Sequence, residues 1–470
     1  MIVQGFFFKT RQVGCKLQLP FPLKNMLPKS TINKSAIGQL LWQPVGNSPL
    51  IVFRVLFGLV MFGQCVRWVV SGWVREMYVL PGYNFTFIGF EWLNVLHGSG
   101  MYFYFGCAAL LSLLVCAGLF YRVSAFLLAI LISAVYLSCK THYNNHYYLI
   151  MLLCWFMATM PANKRFSLDA KLSFTTRSAQ CHQWQLWLFI FQGACVYVFA
   201  GIAKMNADWL HAIPMKEWLH IKSRRPYIGW FLKQSWMPWL IVYGGLLFDL
   251  LVVPGLLYHK TRIWFFLLAA GFHVFNGVVF QIGSFPFMAM SLFVFFFPSG
   301  LFDRFLPAAN EAHLLQGIST NKKRWTNYVL VAFVVLQLIL PIRHLFITGP
   351  VGWTEEGHRM AWQMMLRSKR GTAYFTIKNK ETYSNWTVQP DSFVNKESLL
   401  EVAVLPDVTW QAAQLLKQNY ARQKIYVSVF AHCNASLNYR PYKPLIDSTV
   451  DLANVKWNYF GHNKWILLNQ

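Results

Sequence analysis

The chain has 470 residues, of which 56% are apolar and only 13% are charged. An ordinary soluble domain carries about 25% charged residues, so this composition excludes a typical soluble protein and indicates one that resides in a lipid bilayer. The formal net charge of +25 does not indicate a nucleic-acid-binding protein, because the Lys and Arg residues lie in short loops and at helix ends rather than on one basic face.

A basic tail, residues 1–47, precedes the apolar part of the chain, which extends over residues 48–345. Within that part the apolar blocks are about 17 to 25 residues long, the length that crosses a hydrocarbon core. They predict about nine membrane segments, of which the shortest are equally compatible with re-entrant or tilted helices. The segments are predicted near 49–71, 101–120, 123–139, 145–161, 183–203, 236–257, 262–281, 284–299 and 326–345.

The basic connections between these segments predict the topology of the chain. Connections at 121–122, 161–177, 259–262 and 322–324 all fall on the side of the basic tail, and positive charge marks the cytoplasmic side. We therefore expect a multi-pass protein with a cytoplasmic N-terminus and a C-terminal domain on the outer or lumenal side. The loop 204–235 is an exception, because it is basic and would lie outside.

The pattern changes in residues 346–470, where apolar and polar residues alternate as in strands at 372–378 and 424–430. Between them, Thr409–Gln423 has the pattern of an amphipathic helix. The predicted fold is therefore a polytopic α-helical membrane bundle followed by a smaller, strand-rich α+β extramembrane domain.

Polar side chains inside membrane segments are costly to bury, so each is a candidate functional residue. On the predicted topology, the fourth and fifth segments place candidates at the same outer face, and the sixth and seventh place candidates deeper. In chain order these candidates are Asn145, His146, Lys204, Asp249, His273 and Asn276.

Each candidate also has a structural interpretation. A lysine at a helix end usually extends its ammonium to the interface, and a single intramembrane histidine usually joins two helices by a hydrogen bond. Asp249 is expected to pair with a cation or a backbone donor. The sequence contains no P-loop, dinucleotide fingerprint, paired CxxC or HExxH motif that would indicate a soluble enzyme.

Several ordered blocks over some 400 residues resemble the vitamin K-dependent γ-glutamyl carboxylase family, including its shorter bacterial members. The blocks are Phe53–Gly58, Asn144–His146, Pro161–Asn163 with Ser167–Ala170, Ala200–Trp209, Gly244–Asp249, Phe272–Pro286 and Trp362–Ser368. The resemblance implies an enzyme that oxidises reduced vitamin K, phylloquinol or menaquinol, with O₂. It then uses the base so formed to carboxylate glutamate residues of a polypeptide substrate with CO₂. No metal is implied.

The resemblance also implies roles for individual residues. Lys204 matches the family's base, and His146 matches a histidine of the same active site. The remaining intramembrane candidates would line the cavity that binds the quinol, and the C-terminal domain would help to hold the polypeptide. In that domain the candidates are Trp362 and Arg367.

The role of base sets a chemical requirement. A free lysine is almost wholly protonated at neutral pH, so Lys204 must be uncharged for part of the time. Asp208 would oppose this if it faced Lys204 from the next helical turn, and we therefore expect the helix to break after Lys204. Two alternatives remain: a membrane enzyme that acts on a quinol or lipid without carboxylation, and a transporter or assembly protein.

Overall fold

The computed structural model describes residues 34–308 and 320–468, so most of the predicted basic tail lies outside the described residues. Helices form most of the chain up to residue 346. They are α1 Lys34–Leu41, α2 Ser48–Val70, α3 Gly100–Ala117, α4 Tyr121–Ser138, α5 Asn145–Thr159, α6 Leu168–Lys171, α7 Gln183–Ala203, α8 Ala207–Leu210, α9 Ile213–Lys222, α10 Gly229–Leu232, α11 Met237–Leu257, α12 Arg262–Phe280, α13 Phe285–Leu292, α14 Ser299–Asp303 and α15 Thr320–Ile342. Two short strands, β1 Pro44–Gly46 and β2 Gln180–His182, pair antiparallel.

Seven helices of the described residues are long and apolar enough to cross a membrane: α2, α3, α4, α7, α11, α12, and α15 with its extension to Phe346. The polytopic helical fold is confirmed, but the predicted number of about nine spans is not. The helix predicted at 145–161 is only 15 residues long, because Met160 must adopt an extended conformation before Pro161. The segment predicted at 284–299 forms the eight-residue α13 and a 3₁₀ turn.

Aromatic side chains form the centre of the bundle. Phe53 of α2 packs against Phe189 of α7, and Phe189 stacks on Phe295 with 4.3 Å between ring centroids. Gly58 lets α2 and α3 approach closely, because a Cβ at this position would lie 2.6 Å from Cβ of Cys116. Apolar burial of this kind fixes the helices that carry the polar candidates.

The C-terminal region contains α16 Val351–Thr354 and a four-stranded antiparallel sheet in the order β4-β3-β5-β6. Its remaining elements are β3 Lys369–Asn379, β4 Asn385–Val388, α17 Leu399–Val404, α18 Pro406–Arg422, β5 Val427–Leu437 and β6 Lys443–Pro444. The predicted strands lie in β3 and β5, and the predicted helix corresponds to α18. Strand β5 starts later than predicted, because Lys424 has a positive φ of 60° and ends a turn there.

A buried ion cluster joins the C-terminal region to the bundle. Lys140, just after α4, lies 2.8 Å from the carboxylate of Asp407 in α18, and Arg359 lies 2.6 Å from the same carboxylate. Burial lowers the pKa of Lys140 to about 8 although Asp407 opposes this. Burial alone would raise the pKa of Asp407, but Arg359 and Lys140 outweigh it and hold this pKa well below its usual range. The carboxylate is therefore ionised at neutral pH and holds both cations.

We expect Asp407→Asn to lower the free energy of unfolding by roughly 3–5 kcal/mol, because Lys140 and Arg359 would stay buried without a carboxylate. Thermal unfolding of the detergent-purified protein would measure this loss. Asp391→Asn makes the same chemical change at an exposed position and should shift the midpoint little. Equal midpoints for the two variants would show that the cluster does not stabilise the junction.

Candidate functional site

One small cavity gathers most of the predicted polar candidates. It has a volume of about 80 Å³ and lies among α5, α7, α11, α12 and the segment before β3. Its apolar walls include Phe272, Phe285, Met364 and Met365. Its polar lining consists of His146, Tyr197, Lys204, Asp249, His273 and Asn276.

Lys204 enters this cavity from the end of α7. The helix ends at Ala203, and Lys204 is its C-terminal cap. Asn206 fixes the break, since its side chain donates to the Ala203 carbonyl at 2.9 Å and accepts from the Trp209 amide at 3.0 Å to start α8. The break after Lys204 was expected from the sequence, and the structure has it.

The break also turns Asp208 away from the cavity. Its carboxylate accepts hydrogen bonds from Arg440 at 2.6 and 2.7 Å and from Asn438 at 2.6 Å, both in the C-terminal region. These hydrogen bonds, above all that of Arg440, hold the pKa of Asp208 below its usual value. Asp208 is therefore an anchor between the two parts of the chain.

Lys204 pairs instead with Asp249, whose carboxylate accepts a hydrogen bond from Nζ. Both residues are buried, with 8% and 4% of their surface exposed. Asp249 was expected to pair with a cation or a backbone donor, but at a greater depth than Lys204. The close approach of α7 to α11 at Gly201, where a Cβ would lie 2.7 Å from Leu250, brings the two residues to the same level.

His273 forms the second polar contact in the cavity. Its Nε2 lies 2.8 Å from the hydroxyl of Tyr197. Its Nδ1 is buried and has no hydrogen-bond partner among the described residues. Since buried polar atoms are normally paired, this nitrogen is available to a polar group of a bound molecule.

His146 stands on the opposite wall at the start of α5. The Asn144 side chain caps this helix by accepting from the His146 amide at 2.8 Å. The imidazole stacks on Phe285, with 3.7 Å between ring centroids and 16° between the planes. Phe285 also contacts His273 edge-on at 5.7 Å, so one aromatic ring holds both histidines.

The two asparagines have different positions. Asn276 lines the cavity and donates to the Phe272 carbonyl at 2.8 Å, one turn earlier in α12. Asn145 lies outside the cavity lining. It accepts from Tyr143 at 2.7 Å and donates to the Gln363 carbonyl at 3.0 Å. It therefore fixes the segment above the cavity.

Trp362 and Arg367 lie in this same segment. Trp362 is fully buried and packs on Tyr148, with 5.1 Å between ring centroids. It is thus part of the bundle core and offers no surface to a polypeptide. Arg367 donates to both carboxylate oxygens of Glu355 and lines a groove of about 790 Å³ between the bundle and the C-terminal region.

Residues 363–367 form a partition between this junction groove and the cavity. Met364 and Met365 line the cavity, whereas Gln363, Leu366 and Arg367 line the groove. The backbone near the partition is strained, because three non-glycine residues have positive φ angles of 52° to 60°: Met360, Trp362 and Met365.

A second groove, of about 730 Å³, opens between α11 and α12. It is predominantly apolar, with exposed residues such as Leu247, Leu251 and Leu268 along it. It shares Gly245 and Asn276, among others, with the cavity. Since both helices are membrane spans by length and composition, this lateral groove gives the cavity a side facing the lipid.

Sequence reasoning missed Tyr197. It lies seven residues before Lys204 on α7, which places both residues on one helix face. The sequence signal that could have identified it is a polar residue two helical turns before the candidate base. Its contact with His273 on another helix could not be read from spacing.

Two family profiles match the chain. The HTTM domain matches residues 42–300, more than half of the chain. The lumenal domain of vitamin K-dependent gamma-carboxylase matches residues 322–470. No solved structure matches significantly.

The geometry predicts strong coupling between Lys204 and Asp249 in stability. Asp249→Asn should lower the free energy of unfolding by roughly 3–5 kcal/mol, because it leaves a buried ammonium unpaired. The double variant Lys204→Met/Asp249→Leu removes both charges and should recover much of that loss. Chemical unfolding in detergent measures the free energies of unfolding of the unchanged chain, of Asp249→Asn and of the double variant.

The matched control is the exposed pair Arg75–Glu76, 3.2 Å apart with exposed side chains. Its double variant Arg75→Met/Glu76→Leu should change stability by less than about 1 kcal/mol. A double variant at Lys204 and Asp249 that is no more stable than Asp249→Asn would argue against a buried ion pair.

Proposed function

Since the chain belongs to the vitamin K-dependent γ-glutamyl carboxylase family, we propose that it converts protein-bound glutamate to γ-carboxyglutamate with CO₂, O₂ and reduced vitamin K, forming vitamin K epoxide. The observation that carries this proposal is the buried Lys204–Asp249 pair in a cavity that also holds His146 and His273. Such a site combines a basic group, low exposure to water and access from lipid.

The cavity has features that fit the quinol. The unpaired Nδ1 of His273 suits an oxygen of the ring system, and Phe272 and Phe285 offer flat apolar surfaces. The lateral groove suits an isoprenoid chain. A volume of about 80 Å³ is small for a two-ring head, so Met364 and Met365, whose side chains are flexible, would move aside. When bound, reduced vitamin K supplies on oxidation by O₂ the strong base that the γ-proton of glutamate requires.

Lys204 would accept the hydroxyl proton of the quinol at Nζ. The Asp249 carboxylate favours the ammonium form of Lys204, which opposes this role. The pair is nevertheless neutral overall whether the shared proton lies on Nζ or on the carboxylate. Moving that proton to Asp249 produces a free amine without leaving a net charge in the low-dielectric interior. Asp249 would thus prepare Lys204 as the base by holding the shared proton, and the anion of the deprotonated quinol would balance the charge of the ammonium formed.

The polypeptide would approach through the junction groove. Arg367 is held there by Glu355 through Nε and Nη2, and its Nη1 has no hydrogen-bond partner among the described residues. This nitrogen can attract a glutamate carboxylate to the groove side of the partition at 363–367. Behind the partition, the apolar walls would exclude water, so that a carbanion meets CO₂ before a proton.

The family relation also bears on orientation. The matched lumenal domain and the basic loops at the other end of the bundle favour a cytoplasmic N-terminus and a lumenal or outer C-terminal region. An odd number of crossings, as the sequence predicts, is consistent with this arrangement. The junction groove would then open to the compartment through which secreted polypeptides pass.

The decisive assay supplies the full chain in membranes with reduced vitamin K, a Glu-rich peptide and labelled bicarbonate. We expect fixed label together with vitamin K epoxide. Lys204→Met should lower both by at least about 100-fold, the contribution of a positioned base. Lys216→Met, which changes an exposed lysine of α9 outside the cavity lining, should keep activity.

Absence of both products would refute the proposal. Epoxide without fixed label would instead indicate a quinol-oxidising enzyme that does not carboxylate. Full activity of Lys204→Met would leave the enzyme class intact but remove Lys204 as the base.

Access from the lateral groove predicts a separate effect of Gly245. An added Cβ there meets no atom within 4 Å, so Gly245→Leu should fold and fill the passage between groove and cavity. The KM for reduced vitamin K should rise several-fold while the KM for the peptide stays constant. Gly63→Leu is the matched control, because Gly63 is an exposed position of α2 with equally open space. Equal KM values for both variants would exclude this route.

A further inference from the structure

Another cavity lies at the end of the bundle opposite to the sheet, which we call the far end. There Ser48 at the start of α2, Arg165 and Asp303 meet, with 2.6 Å between Arg165 and Asp303. The cavity has a volume of about 540 Å³. None of the polar residues assigned to the carboxylase site lines it.

The lining of this far-end cavity is strongly basic. Five of the described residues that line it are cations, and none is acidic. Asp169 lies nearby, but its carboxylate is occupied by Asn163 and by the backbone amides of Phe120 and Tyr121. The five lining cations are Arg54, Lys164, Arg165, Lys171 and Arg177.

Arg54 lines this cavity without a carboxylate hydrogen-bonded to it. It is 1% exposed, and its guanidinium donates only to the carbonyls of Ala162, Arg165 and Phe166. Its Nε is buried without a hydrogen-bond partner among the described residues. A buried cation needs a compensating anion, and among these residues Arg165 alone has a carboxylate partner.

The surroundings of the cavity are apolar and exposed. Phe166 and Leu168 line it with 53% and 38% of their surface exposed, and Leu172 and Phe174 are exposed beside them. Such residues next to Lys and Arg are typical of a loop that lies in the headgroup region of a bilayer. The occupant should therefore carry both a negative charge and an apolar chain.

We propose that the far-end cavity binds one phospholipid with an anionic headgroup, its phosphate against the exposed Lys171 and Arg177 on the side of the buried Arg54, and its chains along Phe166 and Leu168. Charge complementarity selects the headgroup, because basic pockets between membrane helices bind anionic lipids. The proposal is independent of the carboxylase reaction. It assigns to the far end a ligand that completes the charge balance of the loop 161–177.

The test uses the full chain in a neutral detergent and native mass spectrometry to count bound phosphatidylglycerol and phosphatidylcholine. We expect one phosphatidylglycerol to be retained at concentrations at which phosphatidylcholine is lost. Lys171→Gln/Arg177→Gln, at two exposed positions, should weaken its binding on the order of tenfold. Lys380→Gln/Arg422→Gln makes the same change of charge at exposed positions in the C-terminal region and should leave binding unchanged.

Each contrary result would overturn the proposal. Equal retention of both lipids would indicate an apolar groove without headgroup selection, and unchanged binding in the Lys171/Arg177 variant would place the lipid elsewhere. Inorganic phosphate that displaces phosphatidylglycerol at equal concentration would identify a site for a free anion. Matching thermal midpoints for the two double variants would ensure that lost binding does not reflect lost folding.

Discussion

The pairing of Lys204 with Asp249 inside the bundle constrains everything around it. Two buried opposite charges are tolerable only if they stay in contact and remain shielded from competing groups. The small Gly201 lets α7 approach α11 closely enough for that contact. Asn206 ends the helix so that Lys204 can turn inward, and Arg440 removes Asp208 from competition. The position of the C-terminal region is thus tied to the electrostatics of the cavity.

The sequence alone identified five of the six polar residues of the cavity, because an ionisable group within an apolar run is conspicuous. The sequence did not indicate which of these residues contact each other. Lys204 and Asp249 are 45 residues apart and meet only through the packing of α7 on α11. The positions of Asn145 and Trp362 were not predictable for the same reason, although both lie in blocks that resemble the family. Asn145 holds the partition and Trp362 packs in the core, and neither lines the cavity.

The membrane fold was predictable from hydropathy, whereas the number of spans was not. Apolar content identifies a segment that can be buried, but burial can be provided by neighbouring helices as well as by lipid. Helix α5 illustrates this, since Tyr148 and Leu153 are buried in the protein core. A helix surrounded by protein need not match the thickness of the hydrocarbon, so α5 can end early at Pro161. Seven of the nine predicted segments therefore form helices long enough to cross a membrane, and the other two form shorter helices.

The two ends of the bundle balance positive charge in different ways. At the sheet end, Lys140 and Arg359 share Asp407, and Arg440 pairs with Asp208. At the far end, Arg54 finds only carbonyl oxygens. With 42 basic and 17 acidic residues in the chain, carboxylates cannot satisfy every cation. The carboxylates at the sheet end hold the C-terminal region over the cavity, where a displacement of that region would change the geometry of the site. The far end borders lipid headgroups, whose phosphates can supply the missing negative charge.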